Sequence, residues 1–201
     1  MSSELPAVFA ILRGVRPEEI VDIAGALLEA GVRGIEIPLN SPDPFESLRR
    51  LAKEHGSRCI CGAGTVLHAN DVDRVRDAGG SLVVAPNVDV TVIERALHLG
   101  LTVMPGFATA TEAFTAINAG ARFLKLFPAA TYGVGHLAAL RAVLPRTIKV
   151  FAVGGVGPQT ISSWRQAGID GFGIGGDLYR VGQSAADVAR QARAVLTAYD
   201  N

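Results

Sequence analysis

The sequence is short of nearly every feature that marks a specialised surface. Its 19 Lys and Arg balance 19 Asp and Glu, and no block of basic residues occurs, which argues against nucleic acid or an anionic membrane as partner. No apolar run approaches the ~20 residues that span a bilayer. The first stretch, "MSSELPAVFAILRG", carries an acid, no basic leader and no cleavage site, so no signal peptide is expected. Only two cysteines are present, Cys59 and Cys61, too few for a four-ligand zinc site. They read as small core thiols of a protein kept in the reducing cytoplasm. The histidines, at 55, 68, 98 and 136, have no metal-ligand spacing and suit surface or helix-end positions. Aromatics are sparse at 6%.

What the chain has is apolar residues and glycine: 49% hydrophobic residues and 23 glycines in 201 positions, the composition of one well-buried globular domain spanning residues 1–201. A unit recurs in "LLEAGVRGIEIPL", "VRDAGGSLVVAP", "ALHLGLTVMPG", "AINAGARFLKLFP" and "WRQAGIDGFGIGG". Each joins an amphipathic helix end to a glycine (Gly31, Gly79, Gly100, Gly120, Gly168) and then to a short apolar run. Glycine just past a helix suits the left-handed residue that stops it. An apolar run without alternation suits a parallel strand buried on both faces. The pattern predicts eight strands, at 8–12, 34–39, 58–62, 82–85, 102–104, 123–127, 149–153 and 171–174. Helices are expected between them, among them 17–30, 44–54, 69–78, 109–119 and 185–199, with Pro17 and Pro158 in first turns. Eight strand–helix units imply a compact α/β fold, the (β/α)8 TIM barrel, with no room for a second domain.

The working face of such a barrel is at the C-terminal ends of its strands, and the anomalous residues collect there. Glu36 in "IEIPLNS" and Lys125 in "RFLKLFP" are ionisable groups inside strands that have no solvated face. Such groups are costly to bury as charges unless paired or used. They are either a structural ion pair or a lysine nucleophile with a carboxylate that moves protons. The pairs Gly154–Gly155 and Gly175–Gly176 follow strands seven and eight, where bare backbone N–H groups commonly hold phosphate. The alternative is that they only make tight turns. "GFGIGG" satisfies G-x-G-x-x-G, but no βαβ unit or acid-bearing strand follows it, so a nicotinamide site is not expected. Trp164 is expected on the outside of the barrel in helix seven, and Asp177 as a cap on the short segment after the second glycine pair.

The series "AILRG", "EIPLNS", "GAGTVL", "PGFATATEA", "LKLFP", "FAVGGV" and "GDLYR" resembles, in order and over nearly the whole chain, the 2-keto-3-deoxy-6-phospho-sugar-acid aldolases. The resemblance implies a class I aldolase, a homotrimeric barrel that needs no metal or other cofactor. It implies Lys125 as the Schiff-base lysine and Glu36 as general acid/base. Arg13 and Thr65 would hold the substrate carboxylate or its neighbouring oxygens, and Gly154, Gly155, Gly175 and Gly176 the distal phosphate. Two positions, Asn40 and Val153, separate the branches of the family, because relatives that act on the gluconate-derived epimer typically carry arginine and threonine there. Both resemble the branch that cleaves 2-dehydro-3-deoxy-6-phosphogalactonate to pyruvate and glyceraldehyde 3-phosphate. Gly176, often serine in relatives, and Ala129 and Ala130, which replace paired serines of some relatives, are departures. The alternatives are the gluconate-derived substrate, both epimers, a phosphate-binding barrel isomerase that makes no imine, and a barrel that binds sugar phosphates without turnover.

Overall fold

The computed structural model describes residues 5–200; residues 1–4, the head of the segment read for a signal peptide, and Asn201 lie outside the described residues. Within them the expected alternation is present. Parallel strands β1 (Val8–Ile11), β2 (Gly34–Pro38), β3 (Ile60–Gly64), β4 (Leu82–Val84), β5 (Thr102–Met104), β6 (Gly106–Phe107), β7 (Phe123–Leu126), β8 (Lys149–Val153) and β9 (Gly171–Ile174) form one sheet. Its order is β5-β4-β3-β2-β1-β9-β8-β7-β6. The two edges, β5 and β6, are consecutive pieces of one strand broken at Pro105. β5 bonds to β4, and β6 bonds to β7. The chain itself therefore closes the cylinder, and the nine pieces make eight staves. Helices α1 (Ile20–Ala30), α2 (Pro44–His55), α3 (Ala69–Asp77), α4 (Val90–His98), α5 (Ala110–Asn118), α6 (Ala129–Arg141), α7 (Ile161–Gln166) and α8 (Ala185–Asp200) cover the outside.

Local signals explain most of the boundaries. Gly31, Gly79, Gly100, Gly120 and Gly168 all take positive φ, as residues that stop a helix should. Asp89 accepts the Thr91 and Val92 N–H groups at the start of α4, and Thr109 with Glu112 forms a capping box on α5. Three boundaries differ from expectation. The third strand begins at Ile60 because Arg58 and Cys59 belong to the turn leaving α2, where the Arg58 N–H donates to the His55 carbonyl. Cys59 therefore does not share a strand with Cys61. Pro17 and Pro158 precede their helices by three residues; hydrogen-bonded turns closed on the Arg16 and Gly157 carbonyls lead into α1 and α7 instead. Trp164 does lie on α7, buried against the barrel.

Two apolar layers follow from the alternation of side chains across each strand. Outward residues such as Ile35, Val83 and Leu124 meet the helices, and inward Phe9, Leu82, Val84, Met104 and Phe151 fill the cylinder. Space inside is made by glycine: a Cβ at Gly34 would lie 2.4 Å from the Phe9 ring, and one at Gly171 2.4 Å from that of Phe151. Phe151 packs edge-on against Phe9 and Phe123, with centroids 5.9 and 6.4 Å apart. Phe151→Ala is expected to destabilise the barrel by about 3–5 kcal/mol, measured as a lower denaturation midpoint, because glycines around the ring cannot refill its volume. A loss under about 1 kcal/mol would mean that the interior collapses freely around the gap.

Candidate active site

The barrel mouth at the C-terminal strand ends holds a cavity of about 610 Å³, within the usual range for a small-molecule site. One wall carries Ile11 and Arg13 from the β1 end and Lys125 and Phe127 from the β7 end; Val153, Gly154, Gly155 and Val156 follow β8, and Gly175, Gly176, Asp177, Tyr179 and Arg180 follow β9. Val153 and Gly173 are also the roof of a much smaller hollow beneath, lined by Glu36, Phe9, Val84, Met104 and Phe151. Lys125 lines the main cavity, whereas Glu36 lines the small hollow that shares Val153 and Gly173 with it.

Both ionisable groups are almost wholly enclosed, at 4% and 5% exposure. Register fixes each one: Glu36 lies between Ile11 and Gly62, and Lys125 between Gly106 and Phe151. Among the described residues they form no ion pair, and Glu36 Oε2 has no hydrogen-bond partner. Burial pushes the Glu36 carboxyl up, against the pull of Lys125 and Arg13. Burial pushes the Lys125 ammonium down, helped by Arg13 and opposed by Glu36. Burial thus opposes the charged form of both groups. The Phe127 ring faces Lys125, with Nζ 4.8 Å from the centroid, so its π face favours the site once the nitrogen becomes a cation.

The loops that carry the remaining predicted residues are tied together. Arg13 donates to Asn40 Oδ1, and the Gly14 N–H donates to Ser41 Oγ at 2.9 Å, which joins the loop after β1 to the loop after β2. Asn40 touches the site through Arg13 and does not line the cavity. Neither does Thr65, which holds φ at +57° directly after Gly64. A β-branched residue in that region is strained, and such strain clusters at working sites. Gly154 and Gly155, at φ +95° and +71°, take a backbone path that L side chains avoid; Gly175 and Gly176 do not. Asp177 makes no cap among the described residues: its carboxylate rests against Gly157, and the residue lines the cavity.

The family model for "KDPG and KHG aldolase" matches residues 3–190. The chain belongs to the KDPG and KHG aldolase family. It is 48% identical, over 98% of its own length and 96% of the relative's, to a 2-dehydro-3-deoxy-6-phosphogalactonate aldolase of Escherichia coli K12. To a KHG/KDPG aldolase of the same organism it is 30% identical, over 70% and 66% of the two chains. A solved structure described as "Native KDPGal structure" superposes with a TM-score of 0.96 at 48% identity, covering 100% of this chain and 97% of that one. The aldolase has no group of three His, Cys, Asp or Glu able to hold a metal among its described residues, and no described helix is long and apolar enough to cross a membrane.

Three residues of the aldolase site carry no clear signal in the sequence. Gly64 is the first: a Cβ there would stand 1.4 Å from Glu36 Oε2, so the carboxylate occupies the space that a side chain would fill. Phe127 and Arg180 are the others, since a run of apolar residues or a loop arginine does not declare which way it points.

Proposed function

We propose that the aldolase cleaves 2-dehydro-3-deoxy-6-phosphogalactonate to pyruvate and D-glyceraldehyde 3-phosphate through an imine on Lys125. The observation that carries this is the enclosed, unpaired Glu36–Lys125 couple, in which burial opposes both charges. Neutral Lys125 Nζ adds to the C2 ketone. Protonated Glu36 gives its proton to the departing hydroxyl, which leaves as water, and the nitrogen becomes a cationic imine. That new cation favours the carboxylate form of Glu36. Glu36 then takes the C4 hydroxyl proton, through a bound water, and the C3–C4 pair of electrons flows into the imine. Glyceraldehyde 3-phosphate leaves as the aldehyde; Glu36 returns its proton to the enamine at C3, and hydrolysis of the resulting imine frees pyruvate and the amine. One difficult step becomes several easier ones.

Arg13, steadied by Asn40, and Thr65 serve the carboxylate end of the substrate in this reading. Gly154, Gly155, Gly175 and Gly176 serve the phosphate, with Val153 beneath them. The galactonate-derived epimer is favoured because identity is 48% to the relative named for it and 30% to the KHG/KDPG relative, and because Asn40 and Val153 stand at the branch-separating positions. We further propose that the whole of residues 1–201 acts as one barrel domain in the cytoplasm, where the free thiols of Cys59 and Cys61 would stay reduced, and that it works as a homotrimer. Exposed Leu97, Phe114 and Val143 are side chains that such an assembly would cover.

The test combines three measurements on one preparation. Borohydride with pyruvate should add a single reduced adduct at Lys125, and coupled pyruvate release should be faster from the galactonate-derived epimer than from the gluconate-derived one. Sedimentation should give the mass of three chains. An adduct elsewhere, or none, would sink the imine; equal or reversed rates would sink the epimer choice; a single-chain mass would sink the trimer.

A further inference from the structure

The proposed substrate ends in a phosphate dianion, and the glycine loops supply N–H groups but no full charge. Three basic side chains line the cavity: Arg13, Lys125 and Arg180. Lys125 must be neutral to react, and Arg13 is held by Asn40 on the β1 side. Arg180 alone stands on the side of the glycine pairs. It is fixed at two points: its Nε donates to the Gly176 carbonyl at 2.9 Å, and its backbone N–H donates to Gln183 Oε1 at 2.7 Å. Its two terminal nitrogens have no partner among the described residues, so the charged end of a steadied guanidinium is left for a ligand. The loop that carries it is seated against the loop after β1, where a Cβ at Gly14 would lie 2.6 Å from Val181.

Asp177 gives this arrangement a second purpose. Asp177 lines the same cavity, with its carboxylate resting against Gly157, and its charge would repel a phosphate. Among the described residues neither Asp177 nor Arg180 enters an ion pair. Without Arg180 the phosphate end would carry a net negative charge; with it, the side chains balance and the backbone donors decide. A planar fork of two N–H donors also matches phosphate geometry better than a point charge does.

We propose that Arg180 is the specificity residue for the terminal phosphate: it neutralises Asp177 and donates a bidentate pair to the phosphate, while Gly154, Gly155, Gly175 and Gly176 offer backbone N–H groups. The assignment rests on the substrate class proposed above.

The experiment compares wild type, Arg180→Met and Arg180→Lys on the phosphorylated substrate and on its counterpart without phosphate. Arg180→Met should lower kcat/KM for the phosphorylated substrate about 10- to 100-fold, chiefly through KM, since a hydrogen bond to a charged group is at stake. The counterpart should change by less than about two-fold, because it offers nothing for Arg180 to hold. Arg180→Lys should fall between, and adding Asp177→Asn to Arg180→Met should recover part of the loss. Equal losses on both substrates would overturn the proposal in favour of a role in holding the loop, and an unchanged ratio would overturn it outright. Calorimetric binding of inorganic phosphate separates this reading from the substrate assignment. If wild type releases no pyruvate from either epimer, the function fails; Arg180 is still upheld by an affinity for inorganic phosphate about 10-fold weaker in Arg180→Met, and overturned by an unchanged one.

Discussion

Lys125→Arg is expected to abolish aldol cleavage, with kcat falling on the order of 10⁴- to 10⁶-fold, the scale on which removal of a nucleophile is felt. The charge of the side chain is retained, but a guanidinium keeps its proton throughout the accessible pH range and has no free pair to add to a ketone. Borohydride should then trap no pyruvate. Lys125→Met separates chemistry from folding. It removes the buried amine, so activity should vanish equally while thermal stability holds or rises. If Lys125→Arg keeps more than about 1% of turnover, the nitrogen is not the covalent partner.

Gly64→Ala should lower kcat by about 10²- to 10³-fold although residue 64 carries no reactive group. The new methyl would stand where Glu36 Oε2 now lies, 1.4 Å from the built Cβ, and the carboxylate must swing away from the C4 hydroxyl. Gly64 is thus a positioning residue, and the readout is a split. Imine trapping at Lys125 should persist within several-fold, with cleavage lost, and Glu36→Gln should show the same split. Glu36→Asp combined with Gly64→Ala should regain part of the lost rate, because the shorter acid leaves room for the methyl. Loss of trapping and cleavage together, in a variant that still folds, would assign Gly64 to the framework alone; undiminished cleavage would show that the carboxylate can work from elsewhere.

The barrel was legible because its signals are local. A glycine after each amphipathic helix needs only its neighbours to be read, and all five such glycines take the left-handed conformation. Strand extents were less so: Arg58 and Cys59 look like the start of an apolar run, yet the turn that leaves α2 claims them. Pro105 in "TVMPGF" signals an interruption, but only the closed ring shows that the strand resumes at Gly106 to pair with β7. In the site, Glu36 and Lys125 stood out by being charged among apolar neighbours. Gly64 could not, because its partner is 28 positions away in the chain and the meeting depends on the register of β2 against β3. Thr65 and Asn40 were placed near the chemistry by motif, whereas only the folded loops show that Asn40 accepts a hydrogen bond from Arg13.

The break at Pro105 divides the ring unequally. Glu36 belongs to the arc β1 to β5 and Lys125 to the arc β6 to β9, and the arcs are joined by the β1–β9 ladder on one side and, on the other, by the chain through Pro105 and the Gly106 N–H donating to the Asn87 carbonyl. One of these joints lies against the amine's own strand, since the Lys125 N–H donates to the Pro105 carbonyl at 2.9 Å. A change in the peptide unit at 105 would therefore be felt first in the backbone that carries Lys125.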